Sequence, residues 1–340
     1  MQSFWKSIAK QFIRFVAVGL IVTIMVHFWF KPVQAQSPLN RAQLYKLKNQ
    51  VELNRQNQGG WQTAKKGEAI VPQDVLRTGA SSRAELLFNE GTLVRTGANT
   101  VFRFPRGKRR FELTSGSALV MIRPGMGQSN IITPQANIIS QGTALFIQHD
   151  STRSASLVGV LTNSLAGPVT VLNQNGQVEI ELRAGQFVSI INGVIGLVDN
   201  FILPIFYDTI ELAYGLGTGQ ENLVLQESLE VQTTLNAIRN EAVVSLQSQL
   251  AWMNGLCGLN IGVQELSPLM QWIWPGTVPP EQINIQLPQS DLFVMPARSL
   301  TGLTWLSNYC QNNNRPAPSP QVPPGQQPIP SPQVPPGQTK

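Results

Sequence analysis

The chain has 340 residues and a formal net charge of +6, with charged residues at 13%, about half of the roughly 25% usual in soluble proteins. Its length admits about two domains with a sizeable core. Two histidines, His27 and His149, and two cysteines, Cys257 and Cys310, argue against zinc enzymes, His-dependent triads and Cys-pair redox motifs, so no metal, cofactor or catalytic residue is expected. The 28 glycines and 24 prolines suit turn-rich β structure and a Pro-rich tail better than a helical bundle.

Lys6, Lys10 and Arg14 precede an apolar run from Phe15 to Phe30, and Val33 and Ala35 supply small residues after Pro32. This is the three-part form of a secretory signal peptide over residues 1–35, cleaved between Ala35 and Gln36. The alternative is an uncleaved membrane anchor over residues 12–30, because the 16 apolar positions fall a little short of the ~20 of a spanning helix. Either reading exports the chain to the periplasm or cell envelope, the second holding it at the inner membrane.

Without residues 1–36 the charge is nearly balanced, at 21 basic and 19 acidic groups. Residues 41–125 hold 15 Lys/Arg against six Asp/Glu, and residues 126–340 hold six against 13. This dipolar layout suits an anionic partner for the first part, or mutual attraction between the two.

Residues 41–198 read as an all-β domain, with short strands separated by turn residues every 8 to 12 positions. Ala84, Leu86 and Phe88 share one strand face, before the turn Asn89-Glu90-Gly91. Val169 and Val171 answer Val178, Ile180 and Leu182 across Asn175-Gly176, and Val188 to Ile191 pairs with Val194-Ile195 through Asn192-Gly193, a type I′ signature.

Residues 199–310 read as helical. Thr218 and Glu221 have capping-box spacing, and Leu235, Ile238, Ala242, Leu246, Leu250 and Met253 recur at helical intervals. A break is expected near the β-branched Val231, Thr233 and Thr234, and the apolar end Leu250 to Met253 is expected to dock on the β domain. Residues 311–340 form a disordered Pro/Gln-rich tail in which Ser319–Gln326 repeats as Ser331–Gln338, a 12-residue period; so little apolar surface cannot offset the ordering entropy.

Several blocks resemble the FecR domain. The first is Gly67, Asp74-Val75-Leu76-Arg77-Thr78-Gly79, Ser82, Ala84, Leu86, Phe88, Gly91-Thr92, Val94 and Arg95. The second is Thr133-Pro134, Ala136, Ile138, Gly142-Thr143, Phe146 and Ile147; the third is Val158, Val160, Gly167, Val169, Val171, Leu182 and Gly185-Gln186. The resemblance implies a mainly β fold, a twisted, solenoid-like stack of short strands, here followed by an α-rich segment and the tail. It also implies a periplasmic module that holds a partner outside the cytoplasm. The family's iron-signalling regulators carry several dozen residues of anti-sigma segment before a membrane helix, whereas about 14 stand there in this chain, so the transcription-regulating role does not transfer.

Arg103, Arg106, Lys108, Arg109 and Arg110 interleave with Phe102, Phe104 and Phe111. On an exported protein this pattern points to an anionic polysaccharide or wall polymer and not to nucleic acid. The alternative is a solvated hairpin loop with the phenylalanines inside. Cys257 and Cys310, the only thiols in an oxidising compartment, are expected to form a disulfide. His149 reads as a surface residue at a strand end, and Trp272 and Trp274 as packing or sugar-stacking residues. These features predict a non-catalytic exported binding or scaffold protein whose partner is an envelope protein or anionic polymer. The alternative is a membrane-anchored envelope sensor that relays a signal through a partner protein.

Overall fold

The computed structural model describes residues 38–57, 59–107, 109–258 and 309–311. The expectations for the leader with Ala35 and Gln36, for the anchor over 12–30, for Lys108, for Trp272 and Trp274 and for the tail repeat lie outside the described residues, as does the side chain of Cys257.

The strands run in chain order β1 Ala42–Lys48, β2 Val51–Asn54, β3 Gln62–Thr63, β4 Ala69–Ile70, β5 Val75–Thr78, β6 Arg83–Phe88, β7 Leu93–Thr96, β8 Val101–Arg103 and β9 Arg110–Met121. They continue as β10 Gln128–Ile132, β11 Ala136–Gln141, β12 Ala144–Asp150, β13 Ala155–Val160, β14 Val169–Asn173, β15 Glu179–Leu182, β16 Gln186–Ile191, β17 Val194–Ile195 and β18 Asp199–Asn200. The helices are α1 Leu203–Thr209, α2 Glu221–Val224 and α3 Leu229–Gly258. The protein is mainly β, with the helices following the strands.

The twisted stack takes the form of two sheets. Sheet A runs β4-β1-β6-β7-β9-β12-β13-β16, with β17 and β18 on the far side of β16. Sheet B runs β3-β2-β5-β8-β9-β10-β11-β14-β15. Of these pairs only β9–β10 is parallel. Strand β9 belongs to both sheets: Arg110 to Leu113 pair in sheet B, and Gly116 to Met121 pair in sheet A. The crossing needs a sharp bend, supplied by a register shift opposite Val101 and by Gly116 at φ 80°. A Cβ on Gly116 would stand 2.5 Å from the Cα of Thr100, so only glycine fits.

Period-2 alternation fills the space between the sheets. Leu86, Phe88, Val94, Val120 and Ile147 of sheet A meet Leu53, Phe102, Phe111, Leu113 and Ile138 of sheet B. Phe88 packs edge-on against Phe104 and Phe111, at centroid distances of 5.0 and 5.2 Å. The opposite parity of sheet A is also buried. Leu93, Leu119, Met121 and Phe146 form a second core with Phe206 of α1 and Leu235, Ile238 and Ala242 of α3. The described residues therefore form three layers, sheet B, sheet A and helices. The apolar face expected for α3 docks as read, with Leu246 and Met253 also buried.

The hairpin predictions hold: Ile191 faces Val194 across Asn192 and Gly193 at φ 51° and 78°, and Val171 faces Ile180. Three local readings are corrected. The helix breaks at residues 225–228 and not at Val231–Thr234, because the buried Glu227 accepts a hydrogen bond from the Tyr45 hydroxyl (2.9 Å), pairs with Lys46, and is followed by Ser228, whose amide donates to the Tyr45 oxygen. Thr234, inside α3, instead donates to the Gly91 carbonyl at 2.6 Å. The Thr218–Glu221 capping box does not form: α2 starts from Gln220 without a side-chain cap, and Glu221 pairs with Arg239. His149 is buried, its Nδ1 2.9 Å from the Ser156 hydroxyl; it ends a central strand of sheet A flanked by β9 and β13, not a surface edge.

Candidate binding face on sheet B

Among the described residues sheet A is covered by sheet B on one face and by the helices on the other, whereas nothing covers the outer face of sheet B. Alternation fixes which side chains it presents. With Leu53, Leu76, Phe102, Phe111 and Leu113 turned inward, Glu52, Arg77, Arg103, Arg110 and Glu112 turn outward. These outward side chains are half-buried or exposed, apart from the buried Glu112.

Two linked groups occupy this face. Arg77 Nε donates to Glu52 Oε2 at 2.7 Å, and the Arg77 guanidinium lies 4.0 Å from the centroid of the Trp61 ring. The Arg77 hydrogen bond, opposed by partial desolvation, holds the Glu52 carboxyl below its ordinary range. Next to it, Glu112 takes Arg103 on one side and Arg110 Nη2 on the other, the latter at 2.9 Å from Oε1. Two guanidinium groups share one carboxylate, so a positive charge is left over. Arg106 adds another at the exposed turn between β8 and β9, where Gly107 has φ 73°.

The structure thus brings Arg103 and Arg110 to one face, leaves Arg106 on the adjoining exposed turn, and withdraws Arg109. The Arg109 side chain is only 2% exposed; its Nε donates to the Ser129 hydroxyl at 3.1 Å, and its Nη2 lies 3.4 Å from Glu90. As a candidate polymer-binding residue Arg109 is corrected to a core residue, because it stands just before β9 on the inward parity of Phe111 and Leu113. The reading with Phe102, Phe104 and Phe111 inside also holds, since all three are buried. Nothing in the sequence marks Trp61 and Arg77 as site residues. Their juxtaposition depends on β2 lying between β3 and β5, which no local spacing announces.

Among the described residues no three His, Cys, Asp or Glu gather as metal ligands, and no helix is long and apolar enough to cross a membrane. At the far end of α3, Tyr309 donates to Asn254 Oδ1 at 2.8 Å. This brings the Cys310 segment to the helix end that carries Cys257.

The family described as FecR protein matches residues 74–166. The chain therefore carries a FecR domain, running here from the start of β5 past the end of β13, a narrower span than Gly67–Gln186. It includes Arg77, Arg103, Arg106 and Arg110, but neither Trp61 nor the helical layer. Two crystal structures of a proposed anti-sigma factor from Parabacteroides distasonis resemble the chain at 20% and 21% identity, with TM-scores of 0.33 and 0.32. Each comparison covers 37% of this chain and 59% of the other. No curated protein matches the chain.

Proposed function

We propose, from a FecR domain at residues 74–166, that the protein is a non-catalytic, exported module of the cell envelope. In this reading the outer face of sheet B holds an anionic polysaccharide or wall polymer. The observation that supports it is the sheet face left open by the described residues, with Arg103 and Arg110 sharing the carboxylate of Glu112, Arg106 on the adjoining exposed turn, and an aromatic platform, Trp61 on Arg77, beside them. A strand surface left open by the described residues, with an excess of guanidinium groups, suits a repeating anionic chain, since Arg pairs with carboxylate and phosphate in a bidentate fashion.

Retention on peptidoglycan sacculi and on an anionic polysaccharide resin tests this. Retention should fall steeply with salt, because exposed charges are screened over about 8 Å at physiological ionic strength. It should also be lost on Arg103, Arg106 and Arg110→Gln with the circular dichroism unchanged. Equal retention of the folded triple variant overturns the reading.

A second reading, the anchored sensor that relays a signal through a partner protein, draws on the basic-then-apolar segment Lys6 to Phe30. Mass spectrometry of the native protein separates the two. A mature N-terminus at Gln36 removes the direct membrane relay, and an intact N-terminus supports it.

A further inference from the structure

The outer face of sheet A is apolar beneath α1 and α3, but it turns charged where β1, β6 and β7 meet the segment 211–214. There Lys46, Lys48, Arg83 and Arg95 line, together with Glu85 and Glu211, a cavity of about 250 Å³. The charges do not cancel. Glu211 holds Lys48 and Arg83, and Glu227, behind the wall, holds Lys46. Four cations thus face three carboxylates, so the cluster carries one positive charge in excess.

Arg95 is 2% exposed. Its Nη1 donates to the Leu212 carbonyl at 2.9 Å and to that of Tyr214, while its Nε and Nη2 have no hydrogen-bond partner. The carboxylate of Glu85 forms an ion pair with this edge, its Oε2 3.5 Å from Nε, but no hydrogen bond, and that buried Oε2 makes no hydrogen bond elsewhere among the described residues. Buried guanidinium donors without hydrogen bonds are costly, and the Nε–Nη2 edge, ion-paired with Glu85 but not hydrogen-bonded, is the side of the fork that takes an oxyanion through two parallel bonds. The cavity is smaller than the roughly 300–1,000 Å³ of sites for drug-sized ligands. At about 30 Å³ per water-sized unit it has room for a head group.

We propose that this cavity is a binding site for a small oxyanion group, a carboxylate or a phosphate, received by the Nε–Nη2 edge of Arg95. Lys48 guards the mouth, its side chain 57% exposed. Glu85 competes with the ligand for the same edge and sets a weak affinity. Because Arg95 also grips the Leu212 and Tyr214 carbonyls, an occupant joins the FecR domain to the layer that carries the helices.

Calorimetric titration of the full chain with inorganic phosphate, and separately with acetate, in low-chloride buffer at pH 7 reads the site. Arg95→Ala would also release two carbonyls and risk unfolding, so the isosteric Glu85→Gln is the decisive variant. Removing the competing charge should tighten binding by roughly tenfold, and Lys48→Gln should weaken it several-fold, in line with charge interactions at a half-buried site. A phosphate response without an acetate response assigns a phosphate ligand, and the reverse assigns a carboxylate. No saturable binding of either anion to the wild type and to Glu85→Gln, or an affinity that Glu85→Gln leaves unchanged, overturns the proposal.

Discussion

Arg109 Nη2 lies 3.4 Å from the Oε1 of Glu90, with side chains only 2% and 3% exposed. The pair joins the start of β9 to the turn between β6 and β7, and so ties sheet B to sheet A through the FecR domain. Two charges held this far from water need each other's compensation, since little solvent reaches either.

Removing one partner should therefore cost far more than removing both. Arg109→Met alone is expected to destabilise by about 3–5 kcal/mol, because it leaves Glu90 buried and uncompensated. Arg109→Met with Glu90→Gln should recover most of that loss. Urea unfolding of the two variants beside the wild type measures the difference, and equal losses would show that the pair is not coupled. The same experiment separates Arg109 from Arg106, whose replacement on the exposed turn should leave stability within about 0.5 kcal/mol.

The bend of β9 carries a second expectation. Gly116→Ala would place a Cβ against the Thr100 backbone, at a φ of 80° that L-residues avoid. Neither the backbone nor the strand pairs on each side can yield, so a loss of about 3 kcal/mol or more is expected. Gly107→Ala, at φ 73° but with no atom within 4 Å, should cost only the conformational part, about 1 kcal/mol. A larger loss at Gly107 than at Gly116 would contradict the two-sheet role of β9.

A third expectation concerns pH. Glu241 on α3 faces the rim of sheet A, where it accepts a hydrogen bond from the Thr162 hydroxyl at 3.1 Å; burial, only partly opposed by that bond, pushes its carboxyl up to about 7. In the unfolded chain it titrates near its ordinary value of 4.5. Between these values the folded state binds more protons, so the stability contributed is complete below the lower pH and is lost as pH rises through the upper one. Buried His149 works in the opposite direction, since desolvation lowers its pKa and acidification must charge it. The comparison with Glu241→Gln isolates the Glu241 share. The variant should melt higher than the wild type at pH 8, with the gap closing towards pH 4.5, and a gap that widens on acidification would show the carboxylate to be favourable.

The arrangement of the strands was partly legible and partly not. Asn192-Gly193 and the pairing of Val171 with Ile180 could be read because turn chemistry and alternation act over a few residues. The continuous runs Ala118 to Ile122 and Ala144 to Ile147, in which every residue is buried, carried a signal that was not used: a strand that is apolar on both parities has both faces covered. Read in that way, they announce the helical layer on sheet A. In the charged run at residues 103–110 the same alternation separates neighbours, because Arg109 just before β9 and Arg110 at its start point to opposite sides of the extended chain.

By itself the sequence determined the β character of residues 41–198, the tight hairpins, the apolar stripe of α3 and the basic composition of the β8–β9 region. These follow from backbone preference and from residue periods of 2 and 3.6, both short-range. The tertiary structure alone decided that β9 serves two sheets, that Arg109 is core while Arg103 and Arg110 are surface, that the helix breaks at Glu227, and that Arg95 sits above a charged cavity. Each of these depends on contacts between residues tens to more than a hundred positions apart, and which partner wins there is set by the energy of burying charge and apolar surface together, a quantity that no window of the sequence contains.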